Sequence, residues 1–273
     1  MAHAIDMTDL TAARSHYVDR IKAREHIASS SLLQALQAVP REDFLRKGPW
    51  RIKSEFSRTY HRTENADPIH LYDNVLVAID ARRRLDTGLP SLWAHFIDVL
   101  EVANGERVVQ IGCGLGYYSA LLSRMVGAKG KVRAIECDEA LAARARENLR
   151  DYRNVEVVCS DGSRDLGGKG ASKADVIIVH AGFTQPHPAW LEALRPGGRL
   201  LVPLTGHSRE GTVIRIKRID KAYQAEAIRR IAIFPGQGRG VTALDERVVD
   251  WWERASALAP LRFRRIEQGL PHG

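Results

Sequence analysis

The chain has 273 residues, 44% of them hydrophobic and 27% charged, the composition of an ordinary globular protein rather than a disordered or fibrous one. No stretch approaches the roughly 18 apolar residues of a membrane span. The formal net charge of +8 favours anionic partners, nucleic acid and carboxylate substrates alike.

The N-terminal stretch Met1 to His26 has no apolar signal core, and its acids, Asp6, Asp9, Asp19 and Glu25, argue against a transit peptide, so a cytoplasmic protein is expected. The three cysteines, Cys113, Cys137 and Cys159, are spaced too widely for a disulfide framework or a zinc site, and no metal is expected. Residues 1 to 47 read as helical, with Leu32, Leu33, Leu36 and Val39 at helical spacing before Pro40. Residues 48 to 90 are mixed and polar, with few long apolar runs. Ser91 to Val102 is a predicted helix that stops at Asn104-Gly105.

A regular alternation follows. Strands are predicted at Arg107 to Ile111, Lys131 to Glu136, Val155 to Cys159, Asp175 to Val179 and Arg199 to Leu204. Helices are predicted between them at Tyr117 to Val126, Asp138 to Arg150 and Pro188 to Leu194. Thr212 to Ile219 and Ala227 to Phe234 lack an intervening helix and should form an antiparallel pair. The expected architecture is α/β: a Rossmann-like, mostly parallel seven-stranded sheet with an antiparallel edge and a helical N-terminal extension. The expected division is an acceptor-side extension at 1–90, a cofactor-binding core at 91–235, and a C-terminal part at 236–273 with a helix at Asp245 to Ser256.

The chemistry is expected at the loop Ile111-Gly112-Cys113-Gly114-Leu115-Gly116, which leaves a β-branched strand and opens a helix. Glycines there permit unusual dihedrals and close approach of a ligand, and the helix start offers N–H donors. A dinucleotide site prefers Gly-x-Gly-x-x-Gly, whereas Tyr117 stands here in the place of that third glycine. The loop instead resembles the one that holds the methionyl part of S-adenosylmethionine. Glu136 ends the next strand about 20 residues on, where an acid can accept from both ribose hydroxyls. Asp161 ends the third strand and could reach the adenine amine, with Gly162 leaving room for the ring. All three positions lie at strand carboxyl ends, the ligand-binding edge of open α/β sheets.

The stretch Val108-Val109-Gln110-Ile111-Gly112-Cys113-Gly114-Leu115-Gly116-Tyr117 resembles the cofactor loop of protein-L-isoaspartate O-methyltransferases. Val39-Pro40-Arg41-Glu42-Asp43-Phe44 is similar to that family's N-terminal signature, and Leu194 to Pro203, containing Pro196-Gly197-Gly198, to its fifth-strand signature. Asp161-Gly162 matches part of its Gly-Asp-Gly segment. The resemblance covers residues 30 to 206. It implies S-adenosylmethionine as cofactor, held by Gly112, Cys113, Gly114, Gly116, Tyr117, Glu136, Cys137, Asp161, Gly162 and His180. It implies methyl transfer to a peptide or protein carboxylate.

Two departures accompany it. The family's Gly-Gln-Thr-Ile-Ser-Gln-Pro acceptor segment falls on Arg84-Leu85-Asp86-Thr87-Gly88-Leu89-Pro90, so its serine falls on Gly88 and its threonine on Asp86, leaving Thr87 as the nearest hydroxyl and the expected catalytic residue. Gln110 stands where the family usually has an acid. Arg82 to Arg84 are expected at the acceptor entrance. Alternatives left open are another acceptor (a peptide natural product, a small metabolite or a nucleic acid) and a non-catalytic cofactor-binding homologue. Nucleic acid is disfavoured, since His180-Ala181-Gly182-Phe183 replaces the Asn/Asp-Pro-Pro-Tyr segment of base-amine methylation.

Overall fold

The structure, a computed structural model, describes residues 7–83, 85–163, 166, 173–205, 210–233 and the backbone of 262–266. In chain order the elements begin with helices α1 (Met7–Glu25) and α2 (Ser30–Ala38) and a 3-10 turn at Glu42–Phe44. Strands β1 (Arg51–Ser54), β2 (His61–Arg62), β3 (Val75–Asp80) and β4 (Leu85–Asp86) follow, then helix α3 (Pro90–Val99). The alternating part comprises β5 (Arg107–Ile111), α4 (Tyr117–Val126), β6 (Lys131–Glu136), α5 (Glu139–Asn148), β7 (Val155–Cys159), β8 (Ala174–Val179), α6 (Pro188–Ala193) and β9 (Leu194–Thr205). It ends with β10 (Glu210–Ile219), β11 (Ala222–Ala232) and β12 (Arg262–Ile266).

The large sheet runs in the order β12-β11-β10-β9-β8-β5-β6-β7. From β7 to β9 the strands are parallel, and β10, β11 and β12 are antiparallel. The seven strands expected are all present, and β12 adds an eighth. Nothing in Arg262–Ile266 alone signals a strand; it becomes one by pairing with β11. The predicted helix at Asp245 to Ser256 lies outside the described residues. Among those described, no helix is long and apolar enough to cross a membrane.

Alternation within the central strands divides the core into two layers. Val108, Val132, Ala134, Val176 and Ile178 face the helices α1 to α5. Val109, Ile111, Ile135, Ile177 and Val179 face the other side, where Trp190 of α6 is wholly buried. A strand covered on both faces must be apolar at successive positions, which is why these runs are continuous rather than alternating.

Helix ends are fixed locally. Ser29 caps α2 by accepting from the Leu32 amide (3.2 Å), and Asp98 of α3 accepts from the Ser29 amide at 2.8 Å, tying the two helices together. Asp138 caps α5 by accepting from the Leu141 amide at 2.9 Å. Each cap contributes about 0.5–2 kcal/mol.

The mixed, polar stretch 48–90 carries regular structure for which no element was predicted. Strands β1 to β4 form a second, antiparallel sheet in the order β2-β1-β3-β4. Its own small core holds Trp50, Ile52, Leu71, Val75 and Val77. These strands have two to six residues, too short for periodicity to register in sequence.

Arg41, from the N-terminal signature, joins this sheet to the rest. Its buried guanidinium donates to the carbonyls of Leu71, Asp73 and Val75, the chain entering β3. Glu42 accepts from the Tyr72 hydroxyl (2.5 Å) and from Arg14 (3.2 Å), while Phe44 packs edge-on against Tyr117 of α4. The Val-Pro-Arg-Glu-Asp-Phe motif is thus the fastening between the small sheet and the large one.

Candidate active site

A cavity of about 400 Å3 opens at the carboxyl ends of β5, β6 and β7, roofed by the β3–β4 hairpin. Its walls include Thr87, Gly112, Cys113, Gly114, Tyr117, Glu136, Cys137, Asp161, Gly162 and His180. Of the residues expected to hold the cofactor, Gly116 is absent from its wall.

The three loop glycines have different reasons to be glycine. All take positive φ, 79° at Gly112, 56° at Gly114 and 92° at Gly116. A Cβ at Gly114 would meet nothing within 4 Å and would stand in the cavity. One at Gly116 would lie 2.6 Å from Leu149 Cδ1. Gly116 therefore packs the loop onto the residue after α5, and its expected cofactor contact is corrected to a packing role. Gly162 lines the cavity and is also closely packed: a Cβ there would lie 2.8 Å from Ile111 Cγ2 and 3.2 Å from Ile135 Cγ2. It lets the loop after β7 settle on the ends of β5 and β6, and the Trp190 indole holds it by donating to the Gly162 carbonyl at 2.6 Å.

The loop amides are mostly spent internally. Those of Gly112 and Cys113 donate to the Ile135 carbonyl (2.8 and 3.0 Å), and that of Gly116 to the Cys113 carbonyl (2.9 Å). The Gly114 amide donates to Glu136 Oε2 at 2.8 Å. Glu136 is buried, and its Oε1 accepts from the Asp138 amide at 3.1 Å. A pyrophosphate lying on this loop would meet a carboxylate and few free donors, the reverse of a dinucleotide site. A cation suits it. Four carboxylates, Asp86, Glu136, Asp138 and Asp161, line the cavity against the two guanidiniums of Arg41 and Arg83. The residues thus fit a cofactor carrying a sulfonium and an ammonium.

Asp161 Oδ1 accepts from the amide and hydroxyl of Ser163 (3.1 and 2.6 Å), which fixes its carboxylate at the end of β7. Burial pushes up both cavity thiols, that of Cys137 to about 11 with Glu136 adding to it. Neither is a thiolate near neutral pH. Gln110 does not reach the cavity: buried in β5, it accepts from Ser119 of α4 at 2.6 Å and ties strand to helix.

At the opposite end, Thr87 Oγ1 is engaged, accepting from the Val77 amide at 3.1 Å and donating to the Gly88 carbonyl at 3.3 Å. The expected catalytic hydroxyl thus braces β3 against the turn after β4. Asp86 accepts from the Tyr60 hydroxyl (2.7 Å) and the Gly88 amide (2.9 Å). Arg83 pairs with Asp80 at 2.8 Å and with Asp138, so the hairpin is clasped to the cap of α5 beside the cavity. Arg82 is exposed, and Arg84 lies outside the described residues.

His180 follows β8. Its ring stacks on Trp93 with centroids 3.8 Å apart and planes 16° from parallel. Burial pushes its pKa down to about 3, so the imidazole is neutral near pH 7. Sequence reading missed Trp93, since a tryptophan at helical spacing reads as core.

A parallel sheet with a glycine turn after its first strand, an acid closing the second and a cation-seeking cavity at their carboxyl ends defines a class I S-adenosylmethionine-dependent methyltransferase. The family model described as protein-L-isoaspartate(D-aspartate) O-methyltransferase matches residues 12–235. The protein-L-isoaspartate O-methyltransferase of Rhodopseudomonas palustris (strain BisB5) is 32% identical over 218 residues, covering 78% of this chain and 87% of that one. Its namesake from Ignicoccus hospitalis is 28% identical over 216 residues, covering 78% and 92%. A solved protein-L-isoaspartate O-methyltransferase superposes with a TM-score of 0.70 at 27% identity, over 86% of this chain and 68% of that one. A Plasmodium falciparum chain, described as a beta-aspartate methyltransferase and solved with S-adenosyl-L-homocysteine, shares the fold with a TM-score of 0.63 at 14% identity, over 82% and 98%. This chain belongs to the protein-L-isoaspartate(D-aspartate) O-methyltransferase family.

Proposed function

We propose that this enzyme methylates the free carboxylate of an isoaspartyl residue, or of its D-aspartyl counterpart, in a peptide or protein. One observation carries the reading. The family match at residues 12–235 takes in every cavity-lining residue, from Arg41 to Ile233, and so embraces the acceptor end as well as the cofactor end.

The cofactor supplies a methyl group on a sulfonium, open to in-line attack. A carboxylate acceptor is ionised near pH 7 and attacks without a general base. This agrees with the state of the cavity side chains: His180 is neutral with a depressed pKa, the thiols are protonated, and Thr87 is bonded to backbone. What the chain contributes is orientation, worth about 7–11 kcal/mol when attacking and leaving atoms are aligned. Glu136 is the acid for the ribose hydroxyls, and Asp161 the acceptor for the adenine amine. Gly114 keeps the loop flat against the methionyl part. Thr87 acts on the acceptor through the hairpin it braces, in a positioning role. Residues 1–90 would then supply most of the acceptor wall and residues 91–235 the cofactor wall.

We also propose a cytoplasmic setting, which the three free thiols of Cys113, Cys137 and Cys159 favour. The test of function is transfer of labelled methyl from S-adenosylmethionine to an isoaspartyl peptide, with the ordinary aspartyl peptide as control. A base-labile ester on the first alone is expected; no transfer to it would overturn the assignment.

A further inference from the structure

The acceptor end of the cavity is short of a donor at the place where the family's segment carries a serine. Gly88 occupies that place, with φ 72°, and Thr87 has its hydroxyl committed to the Val77 amide and the Gly88 carbonyl. The space over Gly88 is nevertheless filled. A Cβ on residue 88 would lie 2.3 Å from Trp93 Nε1 and 2.6 Å from Cδ1. The indole nitrogen of α3 therefore stands where a side chain on residue 88 would begin, and glycine at 88 is the condition for its being there.

This indole differs from its counterparts. Trp50 Nε1 donates to the Arg46 carbonyl at 2.7 Å, and Trp190 Nε1 to the Gly162 carbonyl at 2.6 Å. Trp93 is 4% exposed as a residue, but its N–H donates to no group among the described residues and is not sealed off, so it is open to the cavity that Trp93 lines. An indole N–H left open beside a cavity is available to a ligand that enters it. The ring is held by the His180 imidazole stacked on it at 3.8 Å and by Tyr118 at 6.0 Å. His180 Nε2 is likewise buried and without a partner. The stacked pair, with the indole N–H open to the cavity, makes a site for a group that accepts hydrogen bonds.

We infer that the Trp93 indole N–H holds the acceptor carboxylate, replacing the hydroxyl that the acceptor segment lacks at residue 88, with His180 fixing the plane of the indole. The inference rests on the carboxylate-acceptor reading above and names the residue that orients that carboxylate for attack. Trp93 is an acceptor-binding residue, and Gly88 and Trp93 are a coupled pair.

Trp93→Phe tests it, since phenylalanine keeps an aromatic ring against His180 while the donor is lost with the rest of the indole. Two probes are titrated into the protein loaded with S-adenosylhomocysteine: an isoaspartyl hexapeptide and the same peptide as its methyl ester. The substitution is expected to weaken binding of the free carboxylate about tenfold to a hundredfold, the range for a hydrogen bond to a charged group. The ester should lose severalfold less, S-adenosylmethionine affinity should stay unchanged, and the smaller ring should lower the melting temperature without unfolding the protein. Equal losses for acid and ester, or no loss for either, would overturn the inference. Methyl transfer by the unsubstituted enzyme separates this from the assigned reaction. An active enzyme indifferent to Trp93→Phe defeats the inference alone. An inactive one whose peptide binding still depends on the indole defeats the assigned reaction alone. A protein that binds neither probe defeats both.

Discussion

The two ends of the cavity are built differently. The cofactor end comes from residues adjacent in sequence to three strand ends, and its central carboxylate, Glu136, is bonded by the protein itself before any ligand arrives, as in the 2.8 Å bond from the Gly114 amide. The acceptor end is assembled from a hairpin, a helix and the end of β8, and it leaves Trp93 Nε1 and His180 Nε2 unbonded. A pre-bonded site presents the same shape to a cofactor that never changes. An open set of donors is what can vary from one acceptor to another.

The comparison breaks most visibly at the glycines. Gly116→Ala should lower unfolding free energy by about 2–4 kcal/mol, combining a left-handed alanine with overpacking against Leu149. Gly114→Ala should lower it by only about 1–2 kcal/mol, yet weaken S-adenosylmethionine binding, because its methyl stands in the cavity. Denaturant titration and calorimetry separate the two; equal stability losses would undo the distinction between packing and cradle.

Next in size is Glu136→Gln. One amide oxygen can serve only one of the two amides now bonded to this carboxylate, and the charge is lost. Cofactor affinity should fall about tenfold to a hundredfold while acceptor KM holds. An acceptor effect as large as the cofactor effect would mean that the two ends are not separable.

A smaller effect concerns pH. His180 binds a proton with a pKa near 6.5 when unfolded and about 3 when folded. Between those values the unfolded state holds the extra proton, so the contribution of this residue is complete above pH 6.5 and is lost as pH falls towards 3. Replacing His180 with Asn should flatten the decline of melting temperature over that interval; an unchanged slope would show that the ring protonates in the native protein. The smallest effect is expected from Arg83→Ala, which releases the exposed clasp to Asp80 and Asp138. Acceptor KM should rise modestly with kcat unchanged, and high salt should abolish the difference between variant and parent.

Much of the fold was legible because the signals were local. The run from Ser91 to Ile219 carries strands rich in apolar residues and helices punctuated by Asp138, Pro188 and Gly105, and these set the element order before any contact is known. The site was legible where chemistry sits at a strand end: Glu136 and Asp161 are found by counting from the glycine loop. The small sheet was not legible, since β2 and β4 have two residues each and exist only through their partners.

The sequence by itself therefore determined the parallel core, the glycine turn and the acids that face it, because each depends on neighbours a few residues away or on a fixed strand-to-strand offset. Tertiary structure decided which glycine faces the cavity and which meets Leu149, and that the Val-Pro-Arg-Glu-Asp-Phe motif fastens two sheets. It also decided that an indole from α3 fills the space above Gly88. These are matters of which atoms from distant segments come within a few ångströms, and residue type alone does not encode that distance.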